Sequence, residues 1–259
     1  MARGSMSNLD VAVWVRRAQG SVGCRVDNIY TRGEQLLLKL RAGGDVRFLL
    51  VEAGVRIHFT SRTSGLEEAS RGFALQLKRL LRDRRLVAVE QLGFDRVVKL
   101  TFSGDMSLYA ELLPRGVVAL VDGRGVIVAA SKSLEARDRV VKPGLEYRPP
   151  PLQLHNPFLL DASEIASRAS VGSDVVRGLV RGLGLPGEVA EEVVYRAGLE
   201  PKLSPRGLSV EVYERLRREL EGVYVESMEG RGYLILREGA PVEATPFKPR
   251  RFPAEYVVE

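Results

Sequence analysis

Three consecutive prolines, Pro149 to Pro151, limit most strongly what this chain can fold into. Proline donates no amide hydrogen and fixes φ, so a triple run fits neither a helix interior nor a central strand. The run sits in a Pro-rich stretch from Lys142 to Pro157, which favours an extended, stiff connection. A domain boundary is therefore expected there: a first domain over 8–148, a linker over 149–158, a helical domain over 159–222, and a hairpin with a basic extension over 223–259. A length of 259 residues accommodates this division.

Before the prolines the chain reads mainly as short strands joined by turns. Leu9 to Ala18 predicts an amphipathic helix, with Leu9 and Val13 opposite Arg16 and Arg17. Strands are expected at Arg25–Tyr30, Gln35–Arg41, Val46–Val51 and Arg56–Thr60, broken by Thr31-Arg32-Gly33 and Ala42-Gly43-Gly44-Asp45. The near-continuous apolar run Leu36–Leu40 suggests a central strand. At Gly72 to Leu81 the period changes, and Phe73, Leu77, Leu80 and Leu81 share a helical face. Strands resume at Leu86–Gln91, Arg96–Phe102, Met106–Leu112, Gly116–Val121 and Val126–Ala130. Turns such as Ser103-Gly104-Asp105 point to antiparallel meanders, so the class is α+β, with a β-sandwich-like first domain and flanking helices.

Beyond the prolines, helices are expected near 161–169, 173–182, 187–197 and 208–220, with Ser173 as an N-cap. A hairpin is expected from strands near Val223–Glu226 and Gly232–Leu236 about Glu229-Gly230-Arg231, then a basic stub, Lys248-Pro249-Arg250-Arg251. Two short helices joined through Gly182-Leu183-Gly184-Leu185-Pro186-Gly187 would let backbone amides approach a phosphate, as helix-hairpin-helix modules do; a tight turn in any bundle would need the same glycines.

The formal charge is +6 and the isoelectric point about 9.6. A field of that sign draws in nucleic acid or anionic lipid. Cys24 is the only cysteine, which excludes a disulfide framework and a thiolate zinc site within the chain; no disulfide-linked partner is expected. His58 and His155 lie far apart in sequence. No apolar run approaches a membrane span, and Met1 to Ser7 has no apolar core, so a cytoplasmic protein without a membrane partner is expected. No phosphate-binding glycine loop, dinucleotide fingerprint or local triad occurs; no cofactor and no metal are expected.

The densest charge is Arg71 to Arg85, where Arg71, Lys78, Arg79, Arg82, Arg84 and Arg85 face only Asp83 in the same window. Such a helix neutralises phosphates, with Lys78, Arg79 and Arg82 as its contacts; a solvated face is the plainer alternative. Gly93-Phe94-Asp95-Arg96 lies between two apolar strands. Its Asp-Arg pair either fixes the turn or presents a carboxylate and a guanidinium fork to a ligand. Arg56 and His58 share one strand face as a second polar surface. Asp10 opens the first helix, where capping is the simplest role.

These segments resemble the NFACT family of NEMF- and RqcH-type proteins, long labelled fibronectin-binding protein A homologues. The similar stretches are LDVAVWVRRAQ at Leu9–Gln19, GCRVDNIY at Gly23–Tyr30, LLLKLR at Leu36–Arg41, EAGVRIHFT at Glu52–Thr60 and GFALQLKRLLRDRRL at Gly72–Leu86. VEQLGFDRVVKLTF at Val89–Phe102, RDRVVKPGLEYRPPP at Arg137–Pro151 and GLGLPGEVAEEVVYRAGL at Gly182–Leu199 follow. The resemblance implies a protein that recognises a stalled large ribosomal subunit holding peptidyl-tRNA, engages tRNA and, at full length, supports untemplated tailing of the nascent chain. It assigns tRNA handling to Asp10, Arg56, Lys78, Arg79, Asp95 and Arg96, to which the charge cluster adds Arg82 as an RNA contact. It also implies that this fragment is not catalytic on its own.

The chain departs from the family pattern in the basic helix, where Leu77-Lys78-Arg79-Leu80-Leu81 replaces Leu-Arg-Lys-His-Leu. The domain order also resembles the formamidopyrimidine-DNA glycosylases, whose N-terminal domain is followed by a helix-two-turn-helix module. Those enzymes use an N-terminal proline amine and a four-cysteine zinc finger, whereas this chain has Ala2 and a lone Cys24.

Overall fold

Leu36, Leu37, Leu38 and Leu40 are all buried, as the middle of a sheet requires. That strand, β2 (Gln35–Ala42), is the middle of a five-stranded antiparallel sheet with β1 (Arg25–Arg32), β3 (Asp45–Glu52), β4 (Arg56–Thr60) and the two-residue β5 (Glu67–Glu68). The spatial order is β4-β3-β2-β1-β5, so the continuous apolar run marks the central strand as expected. The structure, a computed structural model, describes residues 4–259.

A second antiparallel sheet is a plain meander of β6 (Leu86–Gln91), β7 (Val97–Phe102), β8 (Met106–Glu111), β9 (Val118–Val121) and β10 (Ile127–Ala130). Between the sheets in sequence lies helix α2 (Gly72–Leu81), which buries Ala74, Leu77 and Leu81 and packs on β1 and β10. The short hairpin β11 (Leu134–Glu135) and β12 (Val140–Val141) follows. Val141 and Tyr147 pack with Val117, Ala119, Val121 and Ile127 of the second sheet. All of this belongs to one compact unit, Trp14–Leu152.

The other unit gathers residues 4–13 with Gln153–Glu259. Helix α1 (Asn8–Ala18) begins in it, followed after the prolines by α3 (Ala162–Ala169), α4 (Val175–Leu183), α5 (Gly187–Arg196) and α6 (Val210–Met228). Asp161 caps α3 in a capping box with Glu164. At α4 the cap is Asp174, accepting from the Arg177 amide, and not Ser173.

The last helix corrects the reading of 208–220 and of a strand at Val223–Glu226. It runs to Met228, and its buried residues Tyr213, Leu216, Leu220, Val223 and Ser227 keep three- and four-residue spacing. Val223-Tyr224-Val225 has strand-like composition, but the tertiary face decides. The hairpin lies further on, as β13 (Tyr233–Arg237) and β14 (Ala240–Thr245), with β15 (Val257–Val258) on the far side of β13. Its two-residue turn is Glu238-Gly239, with φ of 50° and 77°. Both residues take the left-handed conformation that a tight hairpin turn demands, and a glutamate gives little sign of that in sequence.

Candidate nucleic-acid interface

Side chains alternate between the faces of a strand, so the register of the first sheet sorts its residues. Ile29, Leu38, Leu49 and Phe59 form one cross-strand row, and Thr31, Leu36, Val51 and Ile57 the next. These face the core, where Trp14 lies 6.1 Å from Phe59. The opposite face carries the rows Asn28–Lys39–Phe48–Thr60 and Tyr30–Leu37–Leu50–His58, ending at Arg32–Gln35 and Glu52–Arg56. Tyr30 and Phe48, both half-buried, have ring centroids 6.2 Å apart.

Polar bonds run across this second face. Arg32 Nε donates to Gln35 Oε1 at 3.0 Å, Gln35 Nε2 to Glu52 Oε2 at 3.0 Å, and Arg56 Nε to the same oxygen at 2.7 Å. Asp27 accepts from Lys39 Nζ at 2.7 Å and from Arg41 at 3.2 Å. The Lys39 ammonium, with Arg41 beside it, holds the Asp27 carboxyl below the usual range. Cations Arg32, Lys39, Arg41 and Arg56 thus outnumber the carboxylates Asp27 and Glu52, on a face that also presents two aromatic rings. Arg56 and His58 share this face, as their spacing predicts. Tyr30, Lys39 and Phe48 were not legible beside them, because only the register of four strands brings them into line.

The turn Leu92-Gly93-Phe94-Asp95-Arg96 joins β6 to β7. Gly93 takes φ of 57°, and Phe94 is buried and anchors the turn. Asp95 Oδ1 accepts from the Arg96 amide at 2.7 Å, and the Asp95 carbonyl accepts from Gln91 Nε2 at 2.8 Å. The Arg96 carbonyl accepts from the Leu112 amide at 2.7 Å. The backbone of Arg96 is therefore fixed on both sides, while its half-buried guanidinium makes no hydrogen bond or ion pair among the described residues. On the other side of the same segment, the Gly54 amide of the β3–β4 turn donates to the Glu111 carbonyl at 2.8 Å. The turns that lead into Arg56 and Arg96 thus meet at Glu111–Leu112.

Helix α2 modifies the reading of an uncompensated basic stripe. Lys78 is ion-paired with Glu68 on β5, which Asn28 also contacts; Lys78, then Asn28, holds the Glu68 carboxyl below its ordinary range. Arg84 donates to the carbonyls of Leu80, Ser103 and Gly104, and Arg85 to that of Gly23. Asp83 is paired with Arg25 at 3.2 Å. Arg71, Arg79 and Arg82 remain exposed, and their guanidiniums make no hydrogen bond or ion pair among the described residues. The compensating Glu68 lies outside the window, and the fold brings it in.

Asp10 stands in the other unit. Its Oδ2 accepts from the Ser7 amide at 2.7 Å and from Ser7 Oγ at 2.9 Å, while its own amide donates to Ser7 Oγ at 3.1 Å. This reciprocal pair makes Ser7 the cap and Asp10 its partner three residues on. The basic stub of the C-terminus is likewise structural. Glu192 accepts the amides of Arg250 and Arg251 at 2.7 and 3.2 Å, and Arg250 reaches Glu226 at 3.0 Å. Among the described residues no group of His, Cys, Asp and Glu is arranged to hold a metal ion, and no helix is long and apolar enough to cross a membrane.

Comparison with known proteins follows the same outline. A Methanocaldococcus jannaschii protein, the archaeal Rqc2 homolog aRqcH, is 26% identical over 268 residues, covering 96% of this chain and 40% of that protein. The human ribosome quality control complex subunit NEMF is 32% identical over 131 residues, 49% of this chain and 12% of that protein. The chain therefore spans well under half the length of these relatives. Among solved structures, the fibrinogen binding protein from Staphylococcus aureus superposes with a TM-score of 0.79 at 19% identity, over 97% of this chain and 93% of that one. The N-terminal part of the fibronectin/fibrinogen-binding protein from Streptococcus suis gives 0.75 at 16% identity, over 97% and 93%. At such identities the likeness concerns the fold. Residues 18–255, which hold Arg56, α2, the Asp95–Arg96 turn and the helices beyond the prolines, match the NFACT N-terminal and middle domains, and the chain belongs to that family.

Proposed function

We propose that this chain is the RNA-gripping part of a ribosome quality-control protein, acting in the cytoplasm by binding rather than by chemistry of its own. Its partners on this reading are tRNA and a large ribosomal subunit that still holds peptidyl-tRNA. Untemplated tailing of the nascent chain would belong to a longer protein. Support for the role comes from relatives named as ribosome quality control complex subunits.

The observation that carries the RNA reading is Arg96. Its backbone is pinned between Asp95 and Leu112, yet its guanidinium has no partner among the described residues. A guanidinium without a protein partner, carried on a fixed backbone, can reach a phosphate or a base edge, and the Asp95 carboxylate beside it suits a ribose hydroxyl or a base amine. Arg56, Lys39, Tyr30 and Phe48 extend the surface with charge and stacking area. On α2, Arg79 and Arg82 add phosphate contacts; Lys78, already neutralised, adds less.

The test is binding of the chain to tRNA and to peptidyl-tRNA-loaded large subunits across a salt series, with abasic duplex DNA as competitor. Selective retention on tRNA or loaded subunits is expected. Arg96→Ala should cost about 1–3 kcal/mol and reduce the salt slope by about one. Equal binding to all three ligands would leave only a nonspecific basic surface. Wild-type affinity and preference in the Asp95→Ala, Arg96→Ala double variant would remove the turn from the interface.

A further inference from the structure

Helices α3 and α4 cross at a point where side chains are absent. A Cβ at Gly178 would overlap the carbonyl oxygen of Ala169, and one at Gly182 would overlap that of Arg168. This close approach carries Arg168, in the last turn of α3, and Arg181, in the last turn of α4, to one pocket of about 140 Å³. His155, Gln153 and the Gly182–Gly184 turn complete its polar wall, and no carboxylate lines it. Neither guanidinium makes a hydrogen bond or ion pair among the described residues.

Attraction to helix C-terminal carbonyls explains a cation in each last turn, but several carbonyls about the end of α4 already have other donors. Leu179 accepts from the Gly184 and Leu185 amides, Leu183 from Gln153 Nε2 at 2.9 Å, and Gly184 from Asn8 Nδ2 at 3.0 Å. The amides of Gly184 and Leu185, which the glycine-rich sequence offers to a phosphate, are thus committed to capping. Two arginines that line one small cavity without a carboxylate leave a positive site, which an anion would neutralise. A tetrahedral oxyanion supplies enough oxygens for both forks at once.

We propose that this pocket binds a phosphate group through Arg168 and Arg181. The group is either a phosphodiester of RNA or free inorganic phosphate, and the site is separate from the Asp95–Arg96 turn.

The experiment is an amide-resolved NMR titration of the whole chain at constant ionic strength. One arm uses inorganic phosphate, the second tRNA and the third sodium chloride. Saturable movement of the Gly182, Leu183 and Gly184 signals with phosphate is expected, weakened at least about tenfold in Arg168→Gln, Arg181→Gln. Arg168→Lys, Arg181→Lys keeps the charge without the fork and should weaken binding less, so a fold defect in the glutamine variant leaves the test intact. Tighter, competing binding by tRNA at the same signals identifies an RNA phosphodiester. Movement with phosphate alone identifies the free ion. No movement with phosphate or tRNA, movement reproduced by chloride, or undiminished binding in both double variants overturns the site. Because the phosphate arm contains no RNA, its result stands apart from whether the chain grips tRNA at Arg96.

Discussion

Arg139 lays its guanidinium across both oxygens of Glu111, with Nη1 2.5 Å from Oε1 and Nη2 2.7 Å from Oε2. The two side chains are 7% and 0% exposed. Tyr147 Oη donates to Oε1 at 3.0 Å and the Val117 amide to Oε2 at 3.2 Å, so the buried carboxylate is well supplied. The Glu111 carbonyl meanwhile holds the Gly54 turn, which makes this residue the junction between the two sheets. Arg139→Met strands a buried charge and should cost about 3–5 kcal/mol. Adding Glu111→Leu removes the stranded charge and should recover much of that loss. Urea unfolding followed by Trp14, the only tryptophan, measures both. An equal loss in single and double variants would mean the pair acts only by filling space.

The same site gives alkaline stability a defined sign. Burial, and then the neighbouring Glu111 carboxylate, push the Tyr147 phenol well above the ordinary tyrosine value of 10.0. The unfolded chain therefore loses this proton from about pH 10 upward while the folded chain keeps it. Its contribution is complete below that pH and shrinks as pH rises beyond it. The urea midpoint should decline above about pH 10, and Tyr147→Phe should flatten part of the decline. Burial raises Tyr213 as well, so a residual slope is expected.

A third prediction concerns the C-terminal segment. Arg196, whose side chain is 2% exposed, bonds Glu192 at 2.6 Å and both oxygens of Glu226 at 2.8 and 2.9 Å. Glu192 in turn accepts the amides of Arg250 and Arg251. Glu192→Ala removes the acceptor for both amides and leaves Arg196 with one carboxylate. Trypsin should then cut after Arg250 or Arg251 early in a digest, before any cleavage within the helices, while the unaltered chain resists at those bonds. Similar early cleavage in both proteins would show that the segment opens regardless of Glu192.

What the sequence made legible was local. The period of two marked the strands of both sheets, the switch at Gly72 marked α2, and the unbroken leucines marked β2 as central. Errors arose where a distant partner decides. Val223-Tyr224-Val225 looks like a strand until Leu216 and Leu220 are seen to share its buried face. Lys248 to Arg251 looks like a solvated basic tail until Glu192 and Glu226 are folded beside it. Of the candidate interface, Arg56, Asp95 and Arg96 were readable from their motifs. Lys39, Tyr30 and Phe48 needed the register, and the neutralisation of Lys78 needed β5 to come alongside α2.

That last pairing yields a prediction that runs against intuition for an RNA-binding surface. Lys78 is mostly buried, with 18% of its side chain exposed, and its ammonium is held by Glu68, itself 57% exposed. In this state Lys78 offers little to a phosphate. Glu68→Gln removes the competing carboxylate, and Asn28 retains an amide-oxygen partner at that position. If α2 faces RNA, tRNA affinity should rise and the salt slope should steepen by about one, because each new phosphate contact releases about one counterion. Lys78→Ala alone should change the slope little, whereas Arg79→Ala with Arg82→Ala should reduce it by about two. A salt series with the four proteins separates the cases. Unchanged slopes in Glu68→Gln and in the Arg79, Arg82 variant would remove α2 from the interface and leave the sheet face and the Asp95–Arg96 turn to account for binding.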